Sequence, residues 1–204
     1  MARPPFGYWA VTLARAVAAL VVGLVITFTA DHSPVVGFNS IALFAFACGV
    51  VLAVGAALHL PAGRSRILFA IEALVLLAGA VAAILLNGFG VATLLFLSCV
   101  VFGLSGIVEL VTGLLEKTQR ERTDWIFVGS LSALLAIVAL VVPTGYAHHF
   151  TGPDGIARTL TASVVLVGAI GAYAVILGVY LTIGGLSQYW ARKTPAYGPE
   201  KTRA

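Results

Sequence analysis

Long apolar runs separated by short polar breaks organise this chain. Six runs stand out, at about 10–30, 40–60, 67–86, 91–115, 124–142 and 159–188. Each can cross a hydrocarbon core, which takes about 20 apolar residues in helical form. The breaks read "DHSPVVGFN", "PAGRSR", "NGFG", "EKTQRER" and "PTGYAHHFTGPDGIAR". The pattern predicts an all-α polytopic membrane protein with six transmembrane helices over 1–190. A polar tail, 191–204, follows and contains two prolines, and its composition predicts disorder. The segment "TFTADHS" after the first run resembles a signal-peptide cleavage site. The run before it exceeds the 7–15 residues of a signal h-region, so it reads as an uncleaved first span.

The even-numbered runs share a motif: "GVVLAVGA" from Gly49 to Ala56, "GIVELVTG" from Gly106 to Gly113, and "GVYLTIGG" from Gly178 to Gly185. The common pattern is Gly, a β-branched residue, three free positions, a β-branched residue, one free position, then Gly or Ala. The first two copies lie 57 residues apart and the last two 72, with the extra length in the loop before the last run. Three copies in corresponding helices predict three helical hairpins of one orientation, a parallel repeat about an axis along the membrane normal. Small residues spaced by seven stay on one face and let helices approach closely, the usual basis of packing in lipid.

Composition supports the membrane assignment. Of the 204 residues, 60% are apolar and 10% charged, and the mean hydropathy is +1.05. A soluble domain carries about 25% charged residues. The net charge of +4 does not call for nucleic acid, because the basic residues are distributed as topology signals. Arg3, Arg64, Arg66, Lys117, Arg120, Arg122, Arg192, Lys193, Lys201 and Arg203 fall on one side of the six spans, and Arg158 alone on the other. This ten-to-one bias predicts that both termini lie in the cytoplasm. Trp9, Trp125 and Trp190 fall at the same ends, where indoles favour the interface.

Three charged residues lie well inside the runs, away from their ends. Arg15 and Glu72 are 57 residues apart and occupy equivalent repeat positions; a further 57 reaches Gly129. Glu109 lies at a similar depth on the fourth helix. The residues sharing its face are Ser105, Gly106, Thr112 and Gly113, small or polar as a bundle interior requires. A charge deep in a span costs about 2.5–3.5 kcal/mol on insertion scales, which pairing offsets in part. Arg15 is therefore expected to contact Glu72, Glu109 or both. Two readings stay open: a proton or ion relay through Glu72 and Glu109, or a structural Arg15–Glu72 pair with Glu109 snorkelling or bonded to Ser105.

The outer loops hold Asp31, His32, His148, His149 and Asp154 in no metal-binding spacing, so neither a metal nor another cofactor is expected. "GPDG" is turn chemistry, and Asp154 is a candidate cap for the last helix. Cys48 and Cys99 lie inside apolar runs and read as small buried residues. No GxSxG, HExxH or Walker motif is present, and no catalytic residue or enzymatic activity is expected. The expected partners are the lipid bilayer and a second copy of the chain or another membrane protein, not nucleic acid.

Two stretches, "RTDWIFVGSLSALLAIVALVVPTG" and "GAYAVILGVYLTIGGLSQYWARK", together with six spans in three hairpins, resemble the HdeD family of small bacterial membrane proteins. The resemblance covers most of the chain and rests on glycine and hydrophobic positions. It departs in the long loop before the last helix and in a first hairpin that fits the repeat least well. It implies a link with acid stress and supplies no catalytic residues. A small transporter or proton-conducting channel, and a scaffold acting through small-residue faces, are the alternatives.

Overall fold

The computed structural model describes residues 7–60, 63–117 and 121–193. Arg3, Arg120, Lys201 and Arg203 lie outside them, as does the tail from 194 onward. The described chain forms α1 (Trp9–Phe28), α2 (Pro34–Leu58), α3 (Arg64–Leu85), α4 (Gly90–Leu115), α5 (Arg122–Val141), a β1–β2 hairpin (Ala147–Thr151 and Ala157–Thr161) and α6 (Ala162–Lys193). All six helices are long and apolar enough to cross a membrane, and the protein is a multi-pass membrane protein. Their outer faces carry large apolar side chains, among them Val17, Phe28, Leu74, Phe96 and Leu140, all more than 45% exposed. Lipid is the solvent that such a surface fits. With apolar residues on both faces, the inward face is marked instead by alanine, glycine and the few polar groups.

The helices form a ring in chain order. α2 packs most extensively on α3, α4 on α5, and α6 returns to α1; α5 and α6 are the loosest neighbours. The tight pairs meet through the shared-motif glycines. A methyl group on Gly106 would lie 2.8 Å from Ala133 N and 2.9 Å from Gly129 O, so backbone meets backbone there. Gly113 faces Ile126, Gly49 faces Leu77 on α3, and Gly178 and Gly185 face Leu20 and Leu13 on α1. Ala56 is buried. Lipid tails are as apolar as leucine, so this close packing, not hydrophobic exclusion, holds the pairs together.

Two of the basic residues have a definite structural job. Arg66 Nη2 donates to Ala57 O (3.2 Å), and Arg122 Nε donates to Gly113 O (3.0 Å). Each ties the first turn of one helix to the last turn of its predecessor, placing a cation where helix carbonyls are unsatisfied.

Several boundaries differ from the sequence reading. α2 begins at Pro34, six residues before the expected 40. Ser33 N donates to Asp31 Oδ1 (2.8 Å), and proline at the first helical position lacks only a donor that would be unpaired anyway. α6 runs from 162 to 193, not 159 to 188, so residues 191–193 of the expected tail are helical. Its start is displaced because 157–161 pairs with 147–151 as an antiparallel strand, His149 opposite Thr159. Its end extends because "SQYWARK" contains no helix breaker, and Tyr189 packs edge-on against Trp9 with ring centroids 4.9 Å apart. Asp154 does not cap α6. It sits in the hairpin turn and accepts from Arg158 Nη2 (2.6 Å), while Thr161 Oγ1 accepts from Val164 N (3.5 Å) at the helix start. Trp125, in the first turn of α5, turns inward and is buried against Phe69 and Tyr8.

Candidate functional site

Arg15, Glu72 and Glu109 meet inside the ring. Arg15 lies six residues beyond the start of α1, Glu72 eight beyond the start of α3, and Glu109 six before the end of α4. At 1.5 Å per residue this puts them about 9–12 Å below the end of the bundle that carries both termini. Arg15 Nη1 donates to Glu109 Oε1 (2.7 Å) and Nη2 to Glu109 Oε2 (2.9 Å), a parallel two-bond fork. The Arg15–Glu72 approach is longer, 3.8 Å from Nη2 to Oε1. Ser105 Oγ donates to Glu72 Oε1 (3.1 Å), so the serine serves Glu72 and not Glu109, contrary to the expectation from its position one turn from Glu109. All three charged residues are buried. Glu72 Oε2 and Arg15 Nε have no hydrogen-bond partner among the described protein atoms.

The pairing crosses the ring. α1 and α4 stand opposite one another, and the long arginine side chain spans the space between them. The reason lies in chain order: α1 is flanked by α2 and α6, which present the apolar Leu52 and Leu181 among their buried residues near this depth. The first available acids are on α3 and α4.

The buried faces refine the expected equivalence. Adding 57 to the buried Thr12, Arg15, Ala16 and Ala19 reaches the buried Phe69, Glu72, Ala73 and Leu76. From α3 to α5 the matching offset is 56: Phe69, Glu72, Ala73 and Leu76 lead to the buried Trp125, Val128, Gly129 and Ser132. Val128, not Gly129, therefore stands where Arg15 and Glu72 stand, and it lines the small space beside Arg15 and Glu109. The sequence offset of 57 misses this because the buried faces of α4 and α5 are one residue closer in sequence, Gly113 to Trp125, than those of α2 and α3, Ala56 to Phe69.

The surroundings are tight. A pocket of only about 10 Å³ lies beside the pair, walled by Tyr8, Thr12, Asp124, Trp125, Val128 and Leu181. That is at the lower limit for one water. Trp125 Nε1 donates to Tyr8 Oη (3.0 Å), closing the side toward the termini. Seven residues along α4, about 10 Å deeper, Phe102 meets Phe44 of α2 and Tyr173 of α6. The three rings touch pairwise, with centroids 5.8, 5.6 and 5.2 Å apart. Ser132 Oγ and Tyr173 Oη lie 2.9 Å apart and share a hydrogen bond. This aromatic plug fills the centre of the bundle between the charged cluster and the hairpin end.

His148 and His149 stay on the exposed hairpin, where His149 Nδ1 lies 2.8 Å from Thr159 Oγ1. Among the described residues no three His, Cys, Asp or Glu side chains gather as a metal site. Sequence reasoning missed Asp124, which accepts from Tyr180 Oη (2.9 Å) and Gln188 Nε2 (3.1 Å). Beside Arg122 at a helix start it reads as an ordinary interfacial charge, and nothing local reveals its two partners 56 and 64 residues on. In comparisons with known proteins, no family model, curated protein or solved structure matches the chain.

Proposed function

We propose that this protein is a non-enzymatic, HdeD-like component of a bacterial plasma membrane, with cytoplasmic termini and three helical hairpins. In this reading the Arg15–Glu109–Glu72 cluster is a charge lock that fixes how the hairpins seat, and acid-stress tolerance is the physiological setting. The observation that carries the lock is the forked Arg15–Glu109 pair crossing the ring in a packed interior, with about 10 Å³ free beside it. A conducting path needs water or a chain of exchangeable groups on both sides of the acids, and the three-ring plug interrupts it on one side. The hairpin repeat is supported by the motif glycines, the offsets of the buried faces, and the Arg66 and Arg122 ties, which are themselves 56 residues apart. The orientation is supported by the ten-to-one distribution of basic residues.

A second reading is favoured by charge balance. Two carboxyls share one guanidinium, and Glu72 Oε2 has no partner. The carboxyl in excess of the guanidinium is the place where a transported proton would bind, and transport is the alternative to a static role. Proton flux into vesicles reconstituted with the wild type, Glu72→Gln and Glu109→Gln separates the two. The lock predicts flux equal to empty vesicles in all three. Wild-type flux above that baseline, lost in Glu72→Gln, would establish the transporter instead.

A further inference from the structure

At the terminal end, α5 and α6 part around an open cleft of about 360 Å³. Its walls include Asp124 from the first turn of α5, and Tyr180, Ile183, Gly184, Ser187 and Gln188 from one face of α6. Asp124 is the only charged side chain lining the cleft among the described residues, and its carboxylate is held firmly, Oδ1 by the tyrosine hydroxyl and Oδ2 by the glutamine amide. Glu109 and Asp154 each hold an arginine, but among the described residues no cation comes within 4 Å of Asp124. Each carboxylate oxygen accepts one protein hydrogen bond and has capacity for another.

The geometry points to a binding site for a primary ammonium group on a short aliphatic stem. The carboxylate offers charge and two free acceptor positions, which suit an N–H cation. A quaternary ammonium has no hydrogen to give them. A single carboxylate is too poor a set for a metal ion. The stem has a place to lie: Ile183 gives an apolar wall, and Gly184 and Ser187 leave the α6 side open. Asp124 is the third residue of α5, so the cleft opens at the edge of the apolar span, level with lipid headgroups. The ammonium therefore has two sources, the ethanolamine headgroup of a phospholipid and a free amine in solution. The site adjoins the Arg15–Glu109 lock, since Asp124 also walls the small pocket beside that pair, but the hydrogen bonds that hold Asp124 go to Tyr180 and Gln188 and not to either member of it.

The test uses the full chain. Purified in detergent, it is titrated calorimetrically with ethanolamine and with choline; in nanodiscs of phosphatidylglycerol with or without phosphatidylethanolamine, retained lipid is counted by native mass spectrometry. Ethanolamine is expected to bind, with choline and the Asp124→Asn variant each weaker by ~10-fold or more, the loss of one charge-assisted hydrogen bond. Gly184→Leu is expected to block the cleft. A Cβ there meets Asp124 Oδ2 at an ordinary 3.5 Å, so the longer side chain enters the space without moving backbone. Selective retention of phosphatidylethanolamine that Asp124→Asn abolishes identifies the lipid as the source; binding of ethanolamine without such retention identifies a soluble amine. The proposal is overturned if the wild type retains no phosphatidylethanolamine selectively and binds no ethanolamine. It is equally overturned if choline binds as tightly as ethanolamine, or if both variants, unfolding at the wild-type temperature, bind it unchanged.

Discussion

Two arginine–carboxylate pairs in this molecule have nearly the same length and opposite surroundings. Arg15 meets Glu109 at 2.7 Å inside the helix ring, with side chains 7% and 1% exposed. Arg158 meets Asp154 at 2.6 Å on the hairpin, with side chains 50% and 44% exposed. Distance does not separate them, but the medium does. On the hairpin, water solvates both partners whether or not they pair, and such pairs contribute about 0–1 kcal/mol. In the ring neither partner has water to return to, so removing one strands the other. Breaking a buried pair costs about 3–5 kcal/mol for that reason, even where the intact pair adds little over a well-packed apolar pair. The inner pair is thus better understood as a specificity device: it penalises every seating of α1 against α4 in which the fork does not close.

The sharpest way to break the contrast is Glu109→Ala. Stability against unfolding in mixed micelles is expected to fall by about 3–5 kcal/mol, because Arg15 is left buried with one distant acid. Glu72→Gln is a milder probe. Its amide oxygen still accepts from Ser105, and it removes the carboxyl that exceeds the guanidinium, so the change is expected to stay within about 1 kcal/mol. A loss comparable to Glu109→Ala would mean that Glu72, not Glu109, anchors Arg15. The smallest effect belongs outside: Asp154→Asn is expected to change stability by less than about 1 kcal/mol, and that difference should shrink as salt is raised from 50 to about 500 mM.

Much of this was readable before the structure, and the unread part has a physical cause. The six spans follow from apolar runs, because lipid demands long helices whatever their neighbours do. Arg15, Glu72 and Glu109 stood out as charges in those runs, and counting residues from the helix ends gave their common depth. Counting gives depth but not which helices face one another across the ring. Sequence equivalence favoured Arg15–Glu72, whereas the fork closes on Glu109 and leaves Glu72 to Ser105. The hairpin was hidden for a different reason. "YAHHFTGPDGIARTLT" showed its turn, but the strands flanking it are short and mostly exposed, with no buried face to set an alternating pattern. Asp124 was hidden by its neighbours, since a charge beside Arg122 at a span boundary is common and its partners lie on α6.

The account's central claim is that Arg15 and Glu109 act as one unit across the ring. A double-mutant cycle of Arg15→Gln and Glu109→Gln, read as unfolding free energy, tests it most directly. The lock predicts that the double variant recovers much of what each single one loses, with a coupling energy of about 2 kcal/mol or more. Additive losses, to within about 0.5 kcal/mol, would contradict it.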